Sequence, residues 1–395
     1  MHRRIAMPII LMIACISCGA EDQGVTGALP GSAAPTVYPE KSVVHWAPFD
    51  DWTEETIVQA ARSKAMVVPM DRCFAEESRA VIERLRELNP ELQILGYLPV
   101  LVSYELPRDT IGLREVLPFL FDYYETVEDD WAHTTTGDTL MIWPGGIFLD
   151  PIAEDGINRS LITKIVDLVE AYLTAGGPPV DGIMHDYFMY SVYVNPACRP
   201  EVEGEPDLDE DLIPCGEDPD ERELLLLWQK EYLRALRERF GDDFIMVGNG
   251  RPPQEDAELA GLLNGIFYES FPNLPWHFTD REGFLRLVDN QSEGFLATAK
   301  GRTWSILANH QLEQNNYFCL VSSLLAGCLY TELHGSYLFT GWTLNVETGR
   351  PAGGISLEED VDGILTASRP FGNGEARISF NPNGGRNEVV FETNR

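Results

Sequence analysis

Two short stretches of the chain share a pattern that ends in an acidic residue. One is V-D-G-I-M-H-D at 180–186, and the other is L-N-G-I-F-Y-E at 263–269. A glycine-opened apolar run of this kind is typical of a buried parallel strand whose carboxyl end carries chemistry. Because side chains alternate between the two faces of a strand, Asp186 and Glu269 are predicted to lie at equivalent heights on one face of one sheet. Two carboxylates placed in this way are the minimum equipment for hydrolysing a glycosidic bond.

The neighbours of the two acids predict different roles for them. Tyr268 and Phe271 flank Glu269, and desolvation by their rings favours a protonated carboxyl group, which suits a general acid. We therefore predict Glu269 as the acid/base and Asp186 as the nucleophile, with retention of configuration if the carboxyl groups lie about 5 Å apart. A gap of about 6.5 Å or more would make Asp186 a base that activates water, with inversion. Asp181 has the opposite parity and begins its strand, which predicts a structural role.

Further polar and aromatic residues fall at predicted strand ends or in the adjoining loops, where they could bind sugar hydroxyls or stack on sugar rings. The predicted substrate-binding residues are Asp71, Tyr97, Trp131, Tyr187, Asn249, His310 and Glu332. Trp143 is a further aromatic residue that could stack on a sugar ring. The first predicted strand holds only His45 and no H-x-H pair, and the sequence has no CxxC pair or Cys/His cluster. We therefore predict a carbohydrate partner, no cofactor and no metal site.

Eight apolar runs alternate with helical patterns along the chain, which predicts an α/β fold with a parallel sheet and right-handed crossovers. The runs lie at 43–49, 65–71, 93–100, 180–188, 244–250, 263–269, 304–310 and 328–332. Eight strands are what a (β/α)8 TIM barrel requires, and in such a barrel the carboxyl ends of the strands build the active site. An open doubly wound sheet is the alternative, although no G-x-G-x-x-G follows the first strand. Beyond Gly341, short alternating runs broken by Gly, Asn and Pro predict a small C-terminal antiparallel β module.

The beginning of the chain has the layout of an export signal. Arg3 and Arg4 precede an apolar run at 5–16 that is too short to span a bilayer comfortably. Cys15 and Cys18 both fit a bacterial lipoprotein signal, and Cys18 is favoured as the lipidated residue because a polar, small-residue stretch follows it. We expect a protein of the cell envelope or the extracellular space that touches the membrane only through its N-terminal lipid. The predicted organisation is a signal peptide at 1–18, a flexible linker at 19–41, a barrel at 42–341 and a β module at 342–395.

Composition limits the partners of the chain. With 395 residues, 44% of them hydrophobic, the chain can bury a barrel-sized core, and we expect a monomer. The net charge of −34 repels nucleic acid and anionic membrane surfaces. It could attract a cationic polymer such as an amino sugar chain, while a soluble surface is the simpler explanation. Export permits disulfides, and joining Cys198 to Cys215 across the acidic insertion at 196–222 would stabilise the fold by about 3 kcal/mol.

Several short motifs resemble one known family. W-A-P-F at 46–49, I-L-G-Y at 94–97, a central Trp with T-G-D and L-D-P, and V-D-G-I-x-x-D occur in this order, followed by T-G-R-P-A-G and R-P-F-G-N-G-E-A-R-I-S-F-N-P near the end. Over residues 43–391 the chain resembles the GHL15-like bacterial glycosyl hydrolases, whose wider relatives include barrel enzymes that cleave α-linked galactosaminoglycans. Those relatives place a catalytic Asp after the fourth strand and a catalytic Glu after the sixth, which implies these roles for Asp186 and Glu269. The acidic insertion and His185 depart from the pattern, and a non-catalytic carbohydrate-binding or cell-envelope protein on the same barrel is the alternative.

Overall fold

The computed structural model of the chain covers the central and C-terminal regions in segments. It describes residues 40–45, 49, 52–104, 117–143, 145–153, 156–175, 180–192, 206–209, 213–215, 217–250, 253, 256–269, 281, 304–309, 316–332, 348–381 and 388–393. The predicted signal peptide, with Cys18, and the predicted linker as far as residue 39 lie outside these residues, while residues 40 and 41, the last two of that linker, are described.

Eight parallel strands form the main sheet, and they follow one another around it in chain order. They are β1 Ser42–Val44, β2 Ala65–Pro69, β3 Gln93–Pro99, β4 Gly182–Phe188, β5 Ile245–Gly250, β6 Gly265–Tyr268, β7 Ile306–Asn309 and β8 Leu329–Glu332. Tyr330 of β8 pairs in parallel with Lys41, directly before β1, so the first and last strands meet. The sheet therefore closes on itself. This confirms the predicted (β/α)8 barrel and excludes the open doubly wound sheet.

Helices occupy most of the connections between the barrel strands. They are α1 Glu54–Ala60, α2 Met70–Phe74, α3 Glu76–Leu88, α4 Pro118–Val127, α5 Arg159–Thr174, α6 Pro219–Phe240, α7 Ala257–Leu262 and α8 Asn316–Ala326. Four of them begin after a residue whose side-chain oxygen accepts a backbone N–H of the first turn, which is the usual N-cap. These caps are Thr53, Asn158, Asp218 and Asp256. Among the described helices, none has the length and apolarity that crossing a membrane requires.

The interior of the barrel is filled by apolar side chains from all eight strands. Leu95, Met184, Val247 and Phe267 belong to this buried cluster and come from β3, β4, β5 and β6. Because side chains alternate along a strand, the residue two positions further on each strand also points toward the barrel axis, at its carboxyl end. Four neighbouring strands therefore place their next inward side chains around one opening, as the repeated sequence pattern predicted for two of them.

The strand predicted at 65–71 ends earlier than expected. It stops at Pro69, and α2 begins with Met70. Pro69 lacks the N–H that would extend the ladder, and Gly96 of β3 leaves room for the Met70 side chain. A Cβ on Gly96 would lie 2.0 Å from the Met70 sulfur. Asp71 therefore lies in the first turn of a helix, where a carboxylate is favoured by the helix dipole, and not at a strand end.

A small antiparallel sheet fills part of the long connection between β3 and β4. Its strands are Val102–Tyr104, Gly146–Phe148 and Met141–Trp143, with Gly146–Phe148 in the middle. The sequence showed no clear period over much of this region, because strands of three residues are too short for one. This sheet places Tyr104 and Trp143 beside the carboxyl end of the barrel.

Four antiparallel strands form the C-terminal sheet. They are β9 Ser356–Glu359, β10 Leu365–Phe371, β11 Gly374–Phe380 and β12 Glu388–Thr393. Its buried residues, such as Ala367 and Ile378, share one core cluster with Leu320 and Leu324 of α8. Arg369 donates from Nη1 to the carbonyl oxygens of Leu324 and Leu325, at 3.1 Å each, and so satisfies the end of α8. The predicted β module is confirmed and packs on the barrel.

Asp181 has the structural role that its parity predicted. Its Oδ2 lies 2.6 Å from Nη2 of Arg86 on α3 and accepts the backbone N–H of Ile94 at 2.7 Å. Both charged side chains are largely buried, with 20% and 23% of their area exposed. The pair joins α3 to the starts of β3 and β4.

Replacing Arg86 tests this contact. We expect Arg86→Ala to lower the free energy of unfolding by about 1–3 kcal/mol, because it leaves a largely buried carboxylate without its ion pair. Arg84→Ala is the matched control on the same helix, since both partners of Arg84, Glu54 and Glu87, are exposed and such pairs contribute at most about 1 kcal/mol each. Urea unfolding of both variants measures the difference. Equal losses in the two variants would contradict the structural role of Asp181.

Candidate active site

Four consecutive barrel strands place polar side chains around one opening. Tyr97 comes from β3, Asp186 from β4, Asn249 from β5, and Glu269 directly follows β6. They are joined by hydrogen bonds from Tyr97 to Asp186 and from Asn249 to both acids. The structure thus brings together four residues that the sequence analysis selected separately.

Asn249 bridges the two acids. Its Nδ2 donates to Asp186 Oδ1 and to Glu269 Oε2, each at 2.9 Å. Because both bonds start from one nitrogen atom, the two oxygens can be no more than about 5.8 Å apart. Retaining glycosidases hold their two carboxyl groups about 5–5.5 Å apart, and inverting ones about 6.5–9.5 Å. The upper limit on the distance between these two oxygens is compatible with the spacing of a retaining enzyme.

The Asp186 carboxylate is held by three donors. The Tyr97 hydroxyl donates to Oδ2 at 2.7 Å, and the backbone N–H of Tyr187 donates to Oδ1 at 2.8 Å, beside the Asn249 amide. Burial and the neighbouring charge of Glu269 raise the pKa of Asp186 to about 6, while the three donors act in the opposite direction. Asp186 is therefore an anion at neutral pH and protonates in mildly acidic solution.

Two tyrosines near the acids remain protonated donors. Burial raises the pKa of Tyr97 well above its usual value, and the charge of Asp186 adds to this shift. Burial also raises the pKa of Tyr104, with further contributions from the charges of Asp186 and Asp71. Asp71 itself has a pKa raised by burial, partly opposed by Arg72, whose Nε lies 3.5 Å away. The charges of Asp71 and Asp186 thus both favour the protonated form of the Tyr104 hydroxyl.

The backbone directly after Asp186 is strained. Tyr187 has a φ of 71°, and it is the one non-glycine residue with a positive φ in the described part of the chain. This conformation directs the Tyr187 N–H at the Asp186 carboxylate. Gly250 at the end of β5 lies against the same turn with a φ of 130°, and a Cβ there would lie 1.9 Å from the carbonyl oxygen of Phe188. Strain of this kind persists where the surrounding structure enforces it, commonly at functional sites.

An aromatic cluster lies beside the acids. The Trp143 ring meets the Tyr187 ring edge-on with 4.5 Å between centroids, and its centroid lies 6.0 Å from that of Tyr104. Trp143 is half-buried. Gly146 on the adjacent strand gives the indole its place, because a Cβ at Gly146 would lie 2.1 Å from the indole nitrogen.

Other predicted residues have different surroundings. Trp131 packs against Tyr124 of α4 within the core around α4 and α5, and none of the described contacts joins it to either acid. Glu332 ends β8, with its backbone in register with Asn309 of β7, but its side chain lies outside the description. His310 lies outside the described residues altogether, so its predicted role stays a prediction.

His185 and Cys215 lie away from the opening. His185 packs edge-on against Tyr232 of α6, and burial lowers its pKa to about 3, so the imidazole is neutral. Cys215 is a buried free thiol that lies beside the carboxyl group of Glu221. The predicted disulfide with Cys198 is therefore not formed in this structure, and Cys198 is outside the described residues.

Comparison with known proteins adds similarity of fold. No family model matches the chain, and no curated protein matches it. Among solved structures it is similar to a maltogenic amylase from S. marinus (11% identity, TM-score 0.40, 82% of this chain and 54% of that chain), of which it spans about half the length. It is also similar to an α-amylase from Lactobacillus plantarum (9% identity, TM-score 0.43, 87% of this chain and 89% of that chain). A chitinase from Bacteroides thetaiotaomicron is similar as well (12% identity, TM-score 0.32, 70% of this chain and 70% of that chain). Because identity and TM-scores are this low, the function has to be argued from the site itself.

The raised pKa of Asp186 predicts a change of stability with pH. A carboxyl group whose pKa is about 6 in the folded protein, against an ordinary value of 3.8, binds protons more tightly in the folded protein than in the unfolded chain. The charged group therefore destabilises the fold by about 1–3 kcal/mol above pH 6, and this penalty disappears as the pH falls toward 4. We expect wild type to lose stability relative to Asp186→Asn between pH 4 and pH 7, as measured by urea unfolding. A difference that stays constant across this range would refute the assignment.

Proposed function

We propose that the protein is a glycoside hydrolase that cleaves a polysaccharide or oligosaccharide with retention of configuration. The observation that carries this proposal is the Asn249 amide, which holds Asp186 and Glu269 within about 5.8 Å of each other at the carboxyl end of the barrel. This spacing suits a covalent glycosyl-enzyme intermediate and leaves little room for a water molecule between carboxylate and sugar.

We assign Asp186 as the nucleophile because three donors hold its carboxylate and because, even with a pKa raised to about 6, it is an anion at neutral pH. All three of its donors point hydrogens at its oxygens, and Tyr97, with its raised pKa, does not lose its proton near neutral pH. A group that only accepts hydrogen bonds is suited to attack on an anomeric carbon. Glu269 then is the acid/base. In the first step it protonates the departing glycosidic oxygen as Asp186 forms the ester bond, and in the second it removes a proton from the attacking water.

The aromatic cluster supports a sugar subsite next to the acids. Trp143 and Tyr187 offer apolar ring surface, and the Tyr104 hydroxyl, whose pKa is raised by burial and by the charges of Asp186 and Asp71, can donate to a sugar hydroxyl. Asp71 is a candidate for a second polar contact with the substrate.

The substrate class and location are proposed from the sequence. The resemblance to GHL15-like hydrolases, and through them to enzymes acting on α-linked galactosaminoglycans, favours an amino sugar polymer. A net charge of −34 would concentrate a cationic polymer of this kind near the protein. The signal-like N-terminus supports export and lipid attachment at Cys18, which would place the enzyme in the cell envelope.

Cleavage assays test the two acids. Against a panel of polysaccharides that includes deacetylated amino sugar polymers, we expect Asp186→Asn and Glu269→Gln each to lower kcat on the order of 10³-fold or more. Asp181→Asn, directly before the strand of Asp186, is the matched control and should keep kcat in the folded protein. NMR of the first product should give the anomer of the substrate. Inversion would overturn the nucleophile role, and binding without cleavage by wild type would favour the non-catalytic carbohydrate-binding protein.

The aromatic cluster gives a separate kinetic prediction. We expect Trp143→Ala to raise KM about tenfold with a smaller change in kcat, because the ring contributes to binding of the sugar more than to bond cleavage. Trp143→Phe should recover most of the loss. The matched control is Trp131→Phe, in the core, which should leave KM unchanged. Steady-state kinetics on the substrate found above measure both constants, and an unchanged KM in Trp143→Ala would exclude the subsite.

A further inference from the structure

An extra residue interrupts the pairing of β4 with β5 beside the candidate active site. The two strands are in register up to His185, and they are in register again where Phe188 meets Gly250. Between these points β4 has two residues, the first of them Asp186, whereas β5 has only Asn249. Two residues that oppose one on the neighbouring strand form a β-bulge, and bulges are common next to active sites, where they redirect a side chain.

The bulge changes the face on which the following side chains lie. On a regular strand Phe188 would share the inward face of Met184 and Asp186. Phe188 is instead buried between the sheet and the helices, in one core cluster with Ile183, whereas Met184 belongs to the cluster inside the barrel. Tyr187 in turn contacts the aromatic cluster beside the acids. The extra residue therefore places two consecutive side chains, those of Asp186 and Tyr187, at the opening.

Two glycines of β5 make room for Phe188. A Cβ on Gly248 would lie 3.0 Å from two carbon atoms of the Phe188 ring. A Cβ on Gly250 would lie 1.9 Å from the Phe188 carbonyl oxygen, and the φ of Gly250, 130°, is one that other residues rarely adopt. The G-N-G sequence at 248–250 is thus explained by the close approach of the bulged strand, and it holds Asn249 between the two contacts.

The bulge also supplies a hydrogen-bond donor to Asp186. The Tyr187 backbone, with its φ of 71°, directs its N–H at Asp186 Oδ1, 2.8 Å away. A chain that left the bulge would turn this N–H away and move the carboxylate relative to Asn249, which donates to the same oxygen. We propose that Gly250 and Phe188 are positioning residues, which hold the bulge and thereby fix the Asp186 carboxylate. Both act through the backbone of β4 and not by contact with the substrate.

Gly250→Ala in the full-length protein tests this role, because the added Cβ has no room while the bulge is in place. We expect kcat to fall about 10²-fold, which is the effect of displacing a reacting group by about 1 Å. We also expect the pKa of Asp186 to rise by about one unit or more, because its carboxylate loses a donor. The matched control is Gly261→Ala on α7, where an added Cβ meets no atom within 4 Å, and both quantities should equal those of wild type.

The pKa of Asp186 can be measured without any substrate. Its carboxyl carbon titrates in ¹³C NMR spectra, and Asp186→Asn identifies the signal by removing it. The same rise should move the acidic limb of the pH dependence of kcat/KM to higher pH. The kinetic result rests on the proposed hydrolase function, whereas the titration does not. If wild type cleaves no substrate, the titration alone tests the roles of Gly250 and Phe188.

Phe188→Leu is a second test, which remains available if Gly250→Ala does not fold. It removes the ring that packs over Gly248 but keeps an apolar side chain, so the loss of stability is moderate. We expect the pKa of Asp186 to rise in this variant and not in Phe244→Leu, which changes a buried phenylalanine of the same core directly before β5. An unchanged pKa in either folded variant would contradict the positioning role. So would a lower kcat with an unchanged pKa, because the loss would then not act through Asp186.

Discussion

Repulsion between two acids held within about 5.8 Å of each other at the end of a closed barrel is the constraint on which this site depends. Two carboxylates at this distance disfavour each other's charge, and burial, followed by the charge of Glu269, raises the pKa of Asp186. The Asn249 amide lowers the cost by donating to both, and Tyr97 and the Tyr187 N–H add two further donors to Asp186. These donors favour the charged form of Asp186, against burial and the charge of Glu269.

The barrel makes such an arrangement rigid. Each of the four polar side chains stands two residues beyond an apolar residue that is packed inside the barrel, so the core beneath fixes its direction. Trp143 packs against the ring of Tyr187 in the strained turn, and Gly250 lies against the next residue, Phe188. Unfavourable backbone and charge at the opening are tolerated because the surrounding packing is extensive. The ion pair of Asp181 and the packing of the C-terminal sheet on α8 belong to that support.

Two insertions, one before β4 and one after it, are added to the barrel near Asp186. The small sheet that follows β3 places Trp143 and Tyr104 beside Asp186, where they can contact a substrate. The acidic segment that follows β4 brings Asp207 and Asp209 to Glu221 on α6. Both insertions therefore flank the strand of Asp186, one with aromatic surface and one with carboxylates. In barrels of this type it is the loops at the carboxyl ends of the strands that vary, while the strands keep the scaffold constant.

The sequence by itself determined the eight strands, their parity and the equivalence of Asp186 and Glu269, because a period of two residues and a glycine-opened apolar run are local properties of the chain. It also predicted Asp181 as structural from parity alone. Only the tertiary structure decided that Asn249 joins the two acids, that Trp143 lies at the site while Trp131 packs on Tyr124, and that three distant carboxylates meet at α6. These facts depend on the spacing between neighbouring strands and on where short, aperiodic insertions fold back, and no local pattern encodes either.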